Sequence, residues 1–341
     1  MHNRLNRLNR FQKNLAIVLL GVASYAFLSC AELSAQQPWV LMNQAITKGD
    51  VQEIRKLGNS GLVDMNDTSD IKGRFLFKAL RIANPRISIP GVLEALFQAG
   101  TRIHQAGRIS QLPNHPNVTT NIFYYASDHP GSSPCPDPSA PTNCPTIEVL
   151  DVLLAQFKIE AQHPVGSDDG GSLADWLSEM NYPDANTLMA AYGDTRWDIG
   201  DVLLQNGVRP NETDGNGLTA IWRAASSKCL KCIENAAKYS ANVNARDRNG
   251  KSILFSMAES GANNGNDRPF FKALTAIVDV NIADNDGLTA YDWTHTGTVP
   301  ANPTFHCRPN PSPSPNQVWC QQILLAAGAS ARQLPPTFPC H

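Results

Sequence analysis

Residues 207–220 read GVRPNETDGNGLTA, and residues 240–253 read SANVNARDRNGKSI. Asn211 is the fifth residue of the first stretch and Asn244 is the fifth residue of the second, so the two asparagines are 33 residues apart. The glycines near the end of the two stretches are separated by the same distance. A fixed period of this length is typical of a supersecondary unit that is stacked several times, and it is not typical of a single compact enzyme fold.

Each stretch resembles the turn that opens an ankyrin repeat. In that family a β-turn finger with Asx-Gly chemistry precedes two antiparallel helices, and a Thr or Ser caps the first helix. Gly217-Leu218-Thr219-Ala220 fits this pattern, and a third copy reads Asn285-Asp286-Gly287-Leu288-Thr289-Ala290. The resemblance implies an all-α repeat solenoid with β-turn fingers.

Apolar residues at helical spacing mark the second helix of further units. Second helices are predicted at residues 50–57, 92–103, 147–155, 198–207, 230–239 and 317–327. We therefore expect about six to seven units within residues 36–332, followed by a C-terminal tail at residues 333–341. Residues 173–180 are helical in pattern but fit no unit. Residues 261–267 form a short insertion.

Composition excludes several classes of function. The chain of 341 residues is 42% hydrophobic and 17% charged, which suits a packed core rather than wholesale disorder. Its formal net charge of -2 gives no electrostatic reason to bind nucleic acid. The sequence contains no P-loop, no GxSxG and no HExxH motif. We predict a protein that is not an enzyme and needs neither a cofactor nor a metal.

The first 35 residues have the features of a secretory signal peptide. Basic residues precede an apolar run from Leu15 to Leu28, and Ala35 lies just before two polar residues. The apolar run is short for a bilayer span, so we predict no integral membrane domain. Two alternatives stay open: an uncleaved anchor, and a lipid anchor at Cys30. The prediction is export, most readily to a bacterial periplasm, with a lipoprotein of the cell envelope as the alternative.

The cysteines agree with export because disulfides persist in oxidising compartments. Two Pro-rich insertions, at residues 130–145 and 300–315, carry cysteines in or next to them. Both insertions and a CxxC motif fall between the first and second helix of their units. The predicted disulfides are Cys135–Cys144, Cys229–Cys232 and Cys307–Cys320. Cys340 is then the odd thiol on a mobile tail, unless it pairs with Cys307 or Cys320.

Two other interpretations of these residues involve chemistry. A CxxC motif is the redox centre of thioredoxin-like proteins, but there it follows a strand, whereas Cys229 opens a helix. The side chains of His306, Cys307, Cys320, Cys340 and His341 suit zinc, although their spacing matches no compact zinc module. A thiol-redox or metal-handling protein is therefore the alternative function.

The resemblance implies that fingers and first helices line a groove that contacts a partner protein. Carried over position by position, the partner-binding residues are Asn216, Leu218, Arg246, Arg248, Asn249, Lys251, Asn285, Asp286 and Leu288. Three of them are basic, which either favours an acidic segment of the partner or reflects solvated finger tips. We expect an exported interaction module that scaffolds, stabilises or inhibits an unidentified protein.

Overall fold

The computed structural model of the protein describes residues 37–66, 75–82, 84, 86–112, 115–127, 147–162, 171–181, 185–260, 267–294, 296–297, 306–309, 314–331 and 338–339. The chain divides into two compact units, Met1–Gly107 and Arg108–His341, each of which contains more than one helix pair. They are called the first and the second unit below. The predicted signal peptide with Cys30, and the Pro-rich segment with Cys135 and Cys144, lie outside the described ranges.

The first unit consists of helices. They are α1 (Gln37–Lys48), α2 (Val51–Asn59), α3 (Phe75–Leu80), α4 (Ile89–Gln98) and the short α5 (Ile103–Ala106). Helix α1 packs against α2 and α3 against α4, and the two pairs stack with α1 on α3 and α2 on α4. Side chains of Asp50 and Ser88 cap α2 and α4 by accepting backbone N–H bonds.

The described part of the second unit is also built from paired helices. Its helices are α6 (Ile122–Ser127), α7 (Ile147–Gln162), α8 (Leu173–Ser178), α9 (Thr187–Gly193), α10 (Trp197–Gln205), α11 (Ala220–Ser226), α12 (Leu230–Lys238), α13 (Ile253–Ser260), α14 (Asp267–Leu274), α15 (Ala290–Trp293) and α16 (Pro315–Ala326). Five pairs form: α6 with α7, then α9 with α10, and so on to α15 with α16. First helices pack in one row and the second helices α7, α10, α12 and α14 in another. All six predicted second helices are present, and the described ranges hold seven pairs.

Apolar faces at helical spacing hold neighbouring second helices together. In α10, Ile199 and Leu203 are buried, in α12 Ile233 is buried, and the two helices pack against each other. Burying one such aliphatic side chain contributes about 1.5–3 kcal/mol. The spacing that predicted these helices is therefore the spacing that packs them.

A buried polar network also joins α9, α10 and α12. The hydroxyl of Tyr192 donates to Asn235 Oδ1 (2.8 Å), and Asn235 Nδ2 donates to Asp201 Oδ1 (2.7 Å). The hydroxyl of Tyr239 donates to the same carboxylate oxygen at 3.0 Å. Burial, with the nearby Asp201 charge, raises the pKa of Tyr192, so its hydroxyl stays a proton donor at neutral pH.

A β-hairpin that the sequence analysis did not predict opens the second unit. Strands β1 (Arg108–Leu112) and β2 (His115–Asn121) pair antiparallel. The buried Asn121 ties the hairpin to α8, since its Nδ2 donates to the Trp176 carbonyl (2.8 Å) and to Glu179 (3.0 Å). Helix α8, which fitted no unit, thus packs against α6 and α9 as an addition to the repeat.

Cys340 and His341, predicted to lie on a mobile tail, are outside the described ranges, but a short strand lies just before them. Strands β3 (Thr296–Gly297), β4 (His306–Pro309) and β5 (Phe338–Pro339) form a small sheet in the order β3-β4-β5. Strand β5 lies within residues 333–341 and pairs antiparallel with β4, with His306 opposite Pro339. The backbone groups on the free side of β4 supply partners for the end of the chain, a pairing that hydrophobic periodicity cannot reveal.

Asparagine side chains bridge four of the helix pairs to the pair that follows. Asn211 Oδ1 accepts the backbone N–H of Asn242 at 2.7 Å, and Asn281 Oδ1 accepts that of Ser330 at 2.8 Å. Asn281 Nδ2 also donates to the carbonyl of Gly328, at the end of the following second helix. Asn66 and Asn244 make the same carboxamide-to-N–H bond, to Arg102 and Asp279. We call these four contacts the Asn bridges; they give the 33-residue period a physical cause.

The Asn281→Ala variant is expected to lower the free energy of unfolding by about 1 kcal/mol, because it removes both bonds to the last helix pair. Asn216→Ala is the matched control, since the Asn216 side chain forms no hydrogen bond to the described part of the chain; its effect should stay below about 0.5 kcal/mol. Urea unfolding followed by circular dichroism gives both values. Equal losses for the two variants would contradict the bridging role.

Candidate interaction surface

Three fingers of the second unit share one hydrogen-bond pattern. Asp214, Asp247 and Asp284 each accept, through Oδ1, the backbone N–H groups two and four residues further on, at 2.8–3.0 Å. Each also donates its own N–H to the carbonyl four residues on. A glycine follows three residues after each Asp, with φ close to +80° in all three fingers. The aspartate and the glycine together fix the turn.

The fingers touch one another, so that they form a continuous surface. Asn285 donates its backbone N–H to the Asn249 carbonyl and its Nδ2 to the Arg248 carbonyl, both at 2.9 Å. The side-chain stem of Arg248 in turn lies against Gly217 of the preceding finger. We call residues 214–218, 246–251 and 283–288 the finger strip.

Arg246 has a structural role that its position in the sequence did not indicate. Its Nε donates to the Gly250 carbonyl (2.7 Å) and its Nη2 to the Ala283 carbonyl (2.8 Å), so it joins two neighbouring fingers. Lys251 lies with its ammonium 3.7 Å from the centre of the Trp293 ring, a cation–π contact. Both residues are held within the surface rather than extended from it.

Leu288 was predicted to bind a partner, and this prediction is wrong because its side chain is 4% exposed. Its N–H is bound to Asp284, and this fixes the backbone so that the side chain enters the interior. Leu218 and Asp286 are half-buried. The exposed members of the predicted set are Asn216, Arg246, Arg248, Asn249 and Asn285.

The second carboxylate oxygen of two finger aspartates reaches the first helix. Asp284 Oδ2 accepts the indole N–H of Trp293 at 2.7 Å, and Asp214 Oδ2 accepts from Arg223 Nη2 at 3.3 Å. In both fingers the donor lies nine residues after the aspartate. The sequence analysis did not predict this hydrogen bond between finger and helix. The signal for it was a side-chain donor nine residues after the aspartate in two of the fingers.

First-helix caps differ among the three fingers. Thr289 and Asp292 form a complete capping box at α15. Trp222 and Phe255 stand at the position of Asp292 in the other two, and the hydroxyls of Thr219 and Ser252 are buried without a hydrogen bond. The indole N–H of Trp222 is also buried without one, although the residue itself is half-buried. A buried polar group without a hydrogen bond costs about 1–3 kcal/mol, so stability does not explain why residue 222 is a tryptophan.

Cys229 and Cys232 form a disulfide with a Cα–Cα distance of 5.2 Å, and Cys229 caps the start of α12. Their exposed fractions are 8% and 0%. Exchange with a substrate thiol requires an accessible sulfur, so this burial suits a structural disulfide.

The predicted Cys307–Cys320 disulfide is wrong, because Cys320 is a free, buried thiol. It lies one helical turn before the fully buried Leu324, on the core-facing side of α16. The packing of that face determines where the sulfur points. Within the described ranges, no three His, Cys, Asp or Glu side chains gather as a metal site.

No protein-family model matches the chain, and no curated protein matches it in sequence. Among solved structures, it is similar to the crystal structure of the ankyrin repeat domain of Bcl-3, which is described as a unique member of the IκB protein family. The TM-score is 0.53 at 19% identity, and the match covers 74% of this chain and 92% of the other. The chain thus has the ankyrin-repeat fold, an all-α repeat solenoid, as the sequence predicted. Across the described helices, none combines the length and apolar character needed to cross a bilayer.

Gly250→Ala and Gly287→Ala form a matched pair, because their φ angles are +79° and +78°. A Cβ at Gly287 meets nothing, whereas one at Gly250 overlaps Asn285 and Arg246. We expect Gly287→Ala to cost about 1–2 kcal/mol from backbone strain alone. Gly250→Ala should cost at least about 1 kcal/mol more, because it separates two fingers. Thermal or urea unfolding tests this, and equal costs would show that the fingers are not in tight contact.

Burial raises the pKa of Cys320 to about 11. At pH 8 about one such thiol in a thousand is ionised, so the native protein should alkylate slowly at this residue. The rate should rise about tenfold for each pH unit up to the pKa. Peptide mapping after iodoacetamide treatment measures it, with unfolded protein as the reactive control. Rapid modification of native Cys320 at pH 8 would contradict its buried position.

Proposed function

We propose that the protein is an exported, non-enzymatic interaction module that binds a partner protein through the finger strip and the adjoining first helices. The observation that carries this proposal is the continuous finger strip, whose backbone is fixed by hydrogen bonds while its polar tips are exposed. A surface held in one conformation loses little entropy on binding. Scaffolding, stabilising or inhibiting the partner are the roles that such a surface supports.

The fold class supports the same proposal. Ankyrin-repeat stacks serve typically as interaction scaffolds rather than as enzymes, and the neighbour with known structure shares that fold. A fold alone names no partner, so the specificity has to come from the side chains of the finger strip.

Trp222 joins the predicted residues as a candidate anchor. It is half-buried on α11, and its indole N–H lies without a hydrogen bond next to the unsatisfied cap of Thr219. Departures from good local structure, such as a buried polar group without a hydrogen bond, occur mainly at functional positions. Tryptophan is also enriched at the centres of interfaces.

Export is part of the proposal. The N-terminal sequence supports it, and so does the Cys229–Cys232 disulfide, because such bonds persist in oxidising compartments. A bacterial periplasm is the compartment we favour, and a lipid anchor at Cys30 is the alternative. Thiol-redox chemistry is not favoured, since both sulfurs of the CxxC motif are enclosed.

The test is crosslinking in living cells of an exporting host, with the protein carrying its own leader. Arg248→Glu changes an exposed finger residue, and Lys238→Glu makes the same charge change on an exposed residue of α12. We expect a specific crosslinked protein that Arg248→Glu abolishes and Lys238→Glu leaves. Mass spectrometry of the same preparation should show Gln36 as the first residue. Capture that neither substitution alters would place the binding face elsewhere.

A further inference from the structure

Three of the four carboxylates of the finger strip bind their own turns, and the fourth, that of Asp286, is half-buried. Asp214 and Asp284 are each 5% exposed, and Asp247 is half-buried. All three bind backbone N–H groups of their own turn through Oδ1. Asp214 and Asp284 bind first-helix donors through the second oxygen. A carboxylate bound in this way keeps its charge but holds it within the turn, and Arg223 also compensates the charge of Asp214.

Among the described residues, the cations of the strip form no ion pair with a carboxylate, and they lie at the surface of the strip. Arg246 donates to two carbonyl groups, which leave its charge uncompensated. Lys251 lies over an aromatic ring, and the guanidinium of the exposed Arg248 makes no hydrogen bond or ion pair within the described part of the chain. The central finger is therefore positive in a protein whose formal net charge is -2.

Amide groups flank this positive centre. The exposed Asn216 lies in the preceding finger, Asn249 in the central one and Asn285 in the following one. Carboxamides donate and accept hydrogen bonds, as the backbone of an extended peptide requires. No large exposed apolar side chain belongs to the strip among the residues described, so insertion into a membrane has no support there. Three cations on one finger are also few for nucleic acid, which rewards each phosphate contact.

We propose that the finger strip binds an acidic, extended segment of the partner, with the carboxylates of that segment on Arg248 and Lys251. This inference rests on the proposed function and names the chemistry of the partner. The cations select acidic residues and speed the encounter, while the asparagine tips bind the peptide backbone. Lys251 stays over Trp293, which holds its charge at a fixed place.

Fluorescence anisotropy with labelled oligoglutamate tests the proposal on the folded protein. We expect binding that weakens as salt is added, and at least about tenfold weaker binding of oligoglutamine. Arg248→Glu should lower the oligoglutamate affinity by about tenfold or more, and the control Lys238→Glu should change it less than about twofold. Circular dichroism confirms that both variants are folded.

Other results overturn the proposal in distinguishable ways. If oligoglutamate does not bind, yet Arg248→Glu still abolishes the crosslinked partner in cells, the acidic-segment inference fails and the proposed function stands. If crosslinking is also unchanged, both fail. Equal binding of oligoglutamate, single-stranded DNA and anionic phospholipid vesicles would reveal general polyanion binding and would overturn the selectivity for a peptide.

Discussion

An asparagine carboxamide joins each of the last three helix pairs to the pair before it. The oxygen of Asn211, Asn244 or Asn281 holds a backbone N–H in the loop that ends the following helix pair. This bond fixes how far one pair is displaced from its neighbour. The rows of first and second helices and the contact between fingers all depend on that displacement. Because a carboxamide offers both an acceptor and a donor, Asn211 and Asn281 also bind a carbonyl of the same loop.

Much of this fold could be predicted from the sequence because its signals are local. The spacing of apolar residues located the second helices, and the Asp and Gly of each finger located the turns. The missed elements depend on pairing between distant segments. Strand β5 pairs with β4 across about thirty residues, and the hairpin with α8 depends on the buried amide of Asn121. Neither pairing leaves a periodic pattern in the sequence.

The candidate surface was predicted less well than the fold. Family positions identify which residues lie near the fingers, but they do not identify which atoms are already bound. Arg246 forms hydrogen bonds to two neighbouring fingers. Leu288 and Cys320 both lie in the core, the latter on α16. The sequence analysis did not identify Trp222 as a candidate anchor. The sign of it is that Thr219 makes no capping hydrogen bond, and only the structure shows this. The separation of the three turn-bound aspartates from the outward cations likewise appears only when hydrogen-bond partners are assigned.

The disulfide between Cys229 and Cys232 spans only three residues and lies at the start of one helix. It therefore braces one helix end and provides no covalent link between neighbouring repeats. Under a pulling force, the described pairs of the second unit would be held by non-covalent contacts with their neighbours, and they should separate one pair at a time. The central finger, which has a neighbour on each side, would keep its shape after an end pair has been pulled away. A partner seated there would remain attached to a partly stretched protein.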